Sequence, residues 1–157
     1  SGSAQLDRVD SAAPPCVVVF GTRQVDTGNM MCPGNELGDV GALLVSHKVV
    51  LALWGHIHFA QRSCPMVGAQ CVNATDAAGY DAPIHAVIGN AGQSLTDFPP
   101  PEQRAKWSVY EGHEWGFSHL TAHNATHLTL DFYGAAPLDA PAPLHHRAPP
   151  LRKYPPV

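Results

Sequence analysis

Charge is scarce in this chain of 157 residues: Asp, Glu, Lys and Arg make up only 14% of it, the formal net charge is −4, and no basic run occurs. That balance argues against nucleic-acid binding by phosphate neutralisation. Long apolar runs are lacking as well, since no stretch approaches the roughly 18–20 residues that span a bilayer. No G-x-S-x-G elbow and no Cys–His nucleophile arrangement is present, which removes the commonest covalent hydrolases. Internal repeats are absent. No signal peptide is visible, and the chain opens Ser1-Gly2-Ser3-Ala4 without methionine, which predicts a processed or truncated product.

What remains is enough for one ordinary domain with a real core, at 45% hydrophobic content. Four cysteines are present, and Cys64 and Cys71 flank a short loop, Pro65 to Gln70, that could close as a disulfide-bonded hairpin. Asn73-Ala74-Thr75 and Asn124-Ala125-Thr126 are N-glycosylation sequons. Together these favour a secreted or extracellular, cell-surface glycoprotein. The competing reading is four reduced cysteines in a cytosolic protein.

Two β-branched or apolar runs end in glycine: Cys16-Val17-Val18-Val19-Phe20 at Gly21, and Val49-Val50-Leu51-Ala52-Leu53-Trp54 at Gly55. Both read as buried strands. Residues 22–34 read as a loop. Asn35 or Asp39 can then cap a helix running to about Ser46, with Leu37, Val40, Leu43 and Leu44 on one face. Strand, loop, helix, strand is the βαβ unit of a largely parallel sheet, in which ligands gather beyond the carboxyl ends of the strands. A third strand is expected at 84–88, and an antiparallel hairpin from 116–122 and 127–133 around His123-Asn124. From Gly134 onward proline and alanine dominate, so residues 134–157 read as an extended surface strap or a disordered tail that buries little.

His56 and His58 follow the second strand-end glycine at i, i+2 spacing, where both imidazoles can face one metal ion or two adjacent ions. Other histidines have plainer readings. His85 begins a strand and reads as packed or hydrogen-bonded. His113, His119, His123 and His127 are spread over hairpin positions, and His145-His146 lies solvated in the tail. Gly89-Asn90-Ala91-Gly92 could cradle a phosphate, but no helix start with a lysine follows, so a tight turn is expected. Trp54, Trp107, Trp115 and Phe117 read as core or interface residues.

Gly55-His56-Ile57-His58-Phe59-Ala60-Gln61-Arg62 is similar to the last metal-binding block of the purple acid phosphatases, G-H-x-H-x-Y-E-R. In order, Val17 to Arg23 resembles that family's strand ending in G-H-R, and Ala82 to Gly92 its A-P-V-H-x-x-x-G-x-x-G strand. Trp107 to Phe117 and Ala122 to Leu128 resemble its C-terminal segment. The resemblance spans about residues 5 to 133. It implies an α/β fold: the C-terminal half of a four-layer αββα metallophosphoesterase sandwich, contributing mainly one mixed β-sheet and a hairpin from residues 1–133. It also implies Fe beside a second divalent ion (Zn, Mn or Fe), with His56 on the divalent ion and His58 on the Fe, and hydrolysis of phosphate monoesters.

The departures bear on activity. Thr22 stands where the family has a ligand histidine, Ala60-Gln61 replaces Y-E, and Asp26 is a conceivable but unplaced substitute ligand. The D-x-G, G-D-x-x-Y and G-N-H-[DE] blocks do not occur. The expectation is therefore a purple acid phosphatase-like chain that is inactive or severely weakened on its own, with no catalytic residue assigned and the metals bound incompletely or not at all. The alternatives are a degraded scaffold serving as a structural or binding glycoprotein through partner contacts, or a cytosolic interaction module without metal. Half a sandwich would expose its inner face, so the expected partner is an N-terminal half of the same protein or another subunit covering that sheet.

Overall fold

A computed structural model describes residues 16–22, 38–72, 82–124 and 127–152. In chain order they form β1 (Val17–Gly21), α1 (Gly38–Ser46), β2 (Val49–Trp54), β3 (Ala60–Val67), β4 (Gln70–Cys71), β5 (Ile84–Ile88), a 3-10 turn at Pro101–Gln103, β6 (Ser108–Gly112), β7 (Gly116–Asn124), β8 (His127–Gly134), β9 (Leu144–Arg147) and β10 (Leu151–Arg152).

The first sheet is mixed and runs β1-β2-β5-β3-β4, with β6 on β3. Its β1, β2 and β5 are parallel, as the βαβ pattern predicts, whereas β3 is antiparallel to β5 and β6. β2 is buried along its whole length, which is why it reads as an unbroken apolar run. α1 begins at Gly38, so Asp39 lies inside its first turn rather than ahead of it, while Asn35 falls outside the described residues. The helix ends at Ser46, and Lys48, with a left-handed φ of 53°, takes the chain into β2.

The second sheet has four strands. β8 carries β7 along one edge and β9 and β10 along the other, all antiparallel. It packs on the inner face of the first sheet, so that Leu51, Ile84 and Ala86 of one meet Leu128, Leu130 and Phe132 of the other. The expected exposed inner face is therefore largely covered. The proline-rich segment supplies part of the cover: Ala148 and Leu151 are 1% and 0% exposed, contrary to a tail that buries little. The opposite face of the first sheet packs on α1 through Leu44, Val49, Ala52, Trp54 and Val87. The described residues thus make three layers, helix, sheet and sheet. Phe20, on the side of β1 that continues the inter-sheet core, remains 69% exposed at the sheet edge.

No helix among the described residues is long and apolar enough to cross a membrane.

Candidate metal centre

β1 and β2 end side by side, with Gly21 opposite Trp54. Glycine is required there, because a Cβ on Gly21 would fall 2.3 Å from the Trp54 ring. Trp54 lies buried across it and donates its indole N–H to His85 Nδ1 at 3.1 Å. His85 is thus a packed partner of Trp54, and burial lowers its pKa to about 4, keeping the ring neutral. The Gly55 N–H bonds the Gly21 carbonyl at 3.2 Å, extending the parallel pairing by one step.

The chain then turns twice in quick succession. Ile57 N–H returns to the Gly55 carbonyl at 2.9 Å and Phe59 N–H to the Ile57 carbonyl at 3.1 Å, which makes His56 and His58 the central residues of consecutive three-residue turns. His56 has φ of 71°, a left-handed conformation that costs a non-glycine residue about 1–2 kcal/mol. What holds the strain is the core: Ile57 and Phe59 are buried on the helix side, and their burial leaves His56 exposed and His58 half-buried.

Two further elements brace the turn. Gly89 at the end of β5 presses on it so closely that a Cβ would sit 2.0 Å from the Ile57 carbonyl oxygen, and its N–H bonds the Phe59 carbonyl. From the loop beyond, Thr96 donates its N–H to the His58 carbonyl at 3.0 Å and accepts the His58 N–H on Oγ1 at 3.4 Å. Sequence reading did not find Thr96, and no local signal marks it. Gly89-Asn90-Ala91-Gly92 forms this brace: buried Asn90 donates to the Glu114 carbonyl and accepts from Gly116 N–H.

Thr22 follows β1 directly and is exposed; its carbonyl oxygen lies 3.7 Å from where a Gly55 Cβ would stand. Position 22 therefore adjoins the histidine turn, with a hydroxyl where an imidazole would be a far better donor. Gln61, by contrast, is 4% exposed and spends its side-chain N–H on Ser108 Oγ at 3.0 Å, so the Ala60-Gln61 change belongs to β3 packing against β6. Asp26 lies outside the described residues, as does Asn73. Asn124 is exposed at the end of β7, with Oδ1 3.2 Å from His127 Nδ1. Cys64 and Cys71 are disulfide-bonded across the β3–β4 hairpin.

The other histidines are spread over separate partners: His113 with Asp97, His145 with Glu114, His123 with Thr129 and His146 with Arg62. Among the described residues no group of three or more His, Cys, Asp or Glu is placed to hold a metal ion. The donor set there ends at the two imidazoles of His56 and His58. Two neutral nitrogens without a carboxylate do not fit a dinuclear Fe and divalent-ion centre, so no reaction step is derived through one.

Comparison with known proteins places this arrangement. Residues 82–139 match the family model described as iron/zinc purple acid phosphatase-like protein C. The chain is 30% identical over 149 residues to a protein named probable inactive purple acid phosphatase 9 from Arabidopsis thaliana, covering 83% of this chain and 22% of that protein. It is 34% identical over 90 residues to a nucleotide pyrophosphatase/phosphodiesterase from Hordeum vulgare, covering 55% of this chain and 24% of the other. In structure it matches purple acid phosphatase PPD1 from yellow lupin (Lupinus luteus) seeds with a TM-score of 0.73 at 27% identity, over 84% of this chain and 25% of that one. The chain thus spans about a quarter or less of each of these relatives. The chain belongs to the purple acid phosphatase family and carries a C-terminal portion of its metallophosphoesterase domain.

Proposed function

We propose that this chain supplies the His56–His58 arm of a purple acid phosphatase-like phosphoesterase centre, and that phosphate monoester hydrolysis in its protein is lost or severely weakened. The observation that carries the reading is position 22. β1 delivers it beside Gly55 and the histidine turn, and it is threonine. A neutral hydroxyl is a weak ligand for a divalent ion, and one lost ligand costs more than a change behind the ligands. By family likeness the remaining donors, for Fe and for Zn, Mn or Fe, come from an N-terminal half of the domain or another subunit. The name of the Arabidopsis relative supports the inactive side of the reading, and that of the barley relative the active side.

A second reading has a specific observation behind it. Phe20, Trp115 and Phe117 are 69%, 54% and 50% exposed, which suits a scaffold that works through contacts with a partner. The Cys64–Cys71 disulfide supports a secreted or cell-surface location, as does the exposed Asn124 as a glycan acceptor, and the sequence at Asn73 offers a second sequon.

Element analysis together with p-nitrophenyl phosphate turnover at acidic pH, on the intact protein, tests both. Little or no bound metal and no turnover are expected. A full complement of two ions with turnover would leave the weakened-centre reading without support.

A further inference from the structure

The proline-rich segment is fastened to the body of the protein along β9 and the residues just beyond it, and one of the fastenings is a histidine. β9 lies along β8 with His146 opposite Phe132 and Arg147 opposite Asp131. Arg147 reaches Asp131 with two hydrogen bonds, at 2.8 and 3.0 Å. His146 turns to the other side of the strand, where its ring stacks on Tyr110 of β6, 4.3 Å between centroids and 9° from parallel, and tilts against Phe132. There its Nε2 accepts the Nε–H of Arg62 at 3.0 Å. Arg62 is buried in β3 and donates a second N–H to the Ser63 carbonyl.

A guanidinium has only donors, so the Arg62–His146 bond exists only while His146 Nε2 carries no proton. A proton on that nitrogen removes the bond and sets an imidazolium against a buried guanidinium. Immediately beyond β9 the chain enters the inter-sheet core. Ala148 N–H bonds the Leu130 carbonyl at 2.9 Å, and Leu151 is fully buried. Lifting β9 therefore loosens the only part of this segment that fills the core among the described residues.

We propose that His146 makes the 144–151 strap an acid-released clasp, docked while the ring is neutral and lifted from Arg62 and Tyr110 when it takes a proton. The charged and titratable groups around it are Arg62 from β3, Tyr110 from β6, Asp131 from β8, and Arg147 and His145 from β9 itself. Glu114, between β6 and β7, is engaged by His145 at 3.2 Å. Only Asp131 favours the proton at close range, and it is already held by both arms of Arg147. In keeping with this geometry, burial first and Arg62 second hold the His146 pKa below its ordinary value, with Asp131 opposing them. The sign follows from linkage. A released strap takes up a proton near the ordinary histidine value of about 6.5, a docked one only lower, so docking is fully present above that value and is lost as pH falls from it through the lowered one. β3, which carries Arg62, begins two residues after His58, so the clasp closes on the strand that backs the histidine turn.

Hydrogen exchange on the intact protein, corrected for the intrinsic pH dependence, tests the proposal. Protection of the β9, Ala148 and Leu151 amides is expected to fall about tenfold for each pH unit inside the window while β2 and β5 hold. His146→Gln, which keeps an acceptor and cannot titrate, is expected to show flat protection, and His145→Gln to respond like wild type. Flat protection in wild type, an equal loss in His146→Gln, or a flat response in His145→Gln would overturn the assignment. Should His146→Gln fail to fold, NMR titration of wild type decides alone: a His146 midpoint below the ordinary value, with Ala148 protection lost over the same range, supports the clasp. A midpoint at or above about 6.5 ends it.

Discussion

Replacing Gly89 by alanine tests whether the histidine turn is braced as described. The added Cβ would lie 2.0 Å from the Ile57 carbonyl oxygen and 2.9 Å from its carbon, both backbone atoms and both inside the range of ordinary contact. Neither side can yield cheaply. β5 is held between β2 and β3, and the Ile57 carbonyl is occupied by the Phe59 N–H. Overpacking costs about 1–3 kcal/mol and a lost hydrogen bond about 1 more, so the expected loss is about 3 kcal/mol. At this chain length that lowers the melting temperature by roughly 6–12 °C. Gly92→Ala is the control: its φ of 97° is unfavourable to alanine, but nothing lies within 4 Å of the new Cβ, so only backbone strain of about 1–2 kcal/mol is expected. Denaturant unfolding of both variants in the intact protein measures the difference. A Gly89→Ala variant no less stable than Gly92→Ala would refute the close-approach argument.

Three further outcomes follow from the same geometry. Leu151→Ala should destabilise by about 2–4 kcal/mol in chemical unfolding, as for a filled core site, whereas a residue on a surface strap would cost under about 0.5. His85 should titrate by NMR near pH 4, and its contribution to stability, present above the ordinary histidine value, should fade by roughly 3 kcal/mol as pH drops from about 6.5 through 4; a midpoint above 6 contradicts the burial argument. Thr96→Val removes the Oγ1 acceptor and should speed exchange of the His58 amide several-fold, with Thr96→Ser restoring it; equal exchange in all three would show that the contact does not brace the turn.

Much of the fold can be read from the sequence where periodicity and burial agree. β2 is an apolar run because both its faces are covered, and 84–88 is nearly so; the 116–134 hairpin shows instead by alternation, since β7 is half-buried on one face and exposed on the other. β3 could not be read that way. It buries Gln61, Arg62 and Ser63, each satisfied by a hydrogen bond, and takes Pro65 at a bulge, so it carries neither alternation nor an apolar run. β9 and β10 sit among prolines and are held by Arg62, Asp131 and the inter-sheet core, which are long-range partners that composition does not reveal. At the candidate site, His56, His58 and Thr22 were visible from spacing and family likeness. The Thr96 clasp on His58 and the left-handed φ of His56 depend on residues distant in sequence and were not.

Position 22 is the proposed lesion in a metal-binding arm whose scaffold is kept. Metal content and p-nitrophenyl phosphate turnover of the intact wild-type protein beside its Thr22→His variant test it most directly. Incomplete metal loading and negligible turnover are expected in wild type, with a gain in bound metal when histidine is restored. Full loading and turnover in wild type, or no gain from Thr22→His, would contradict it.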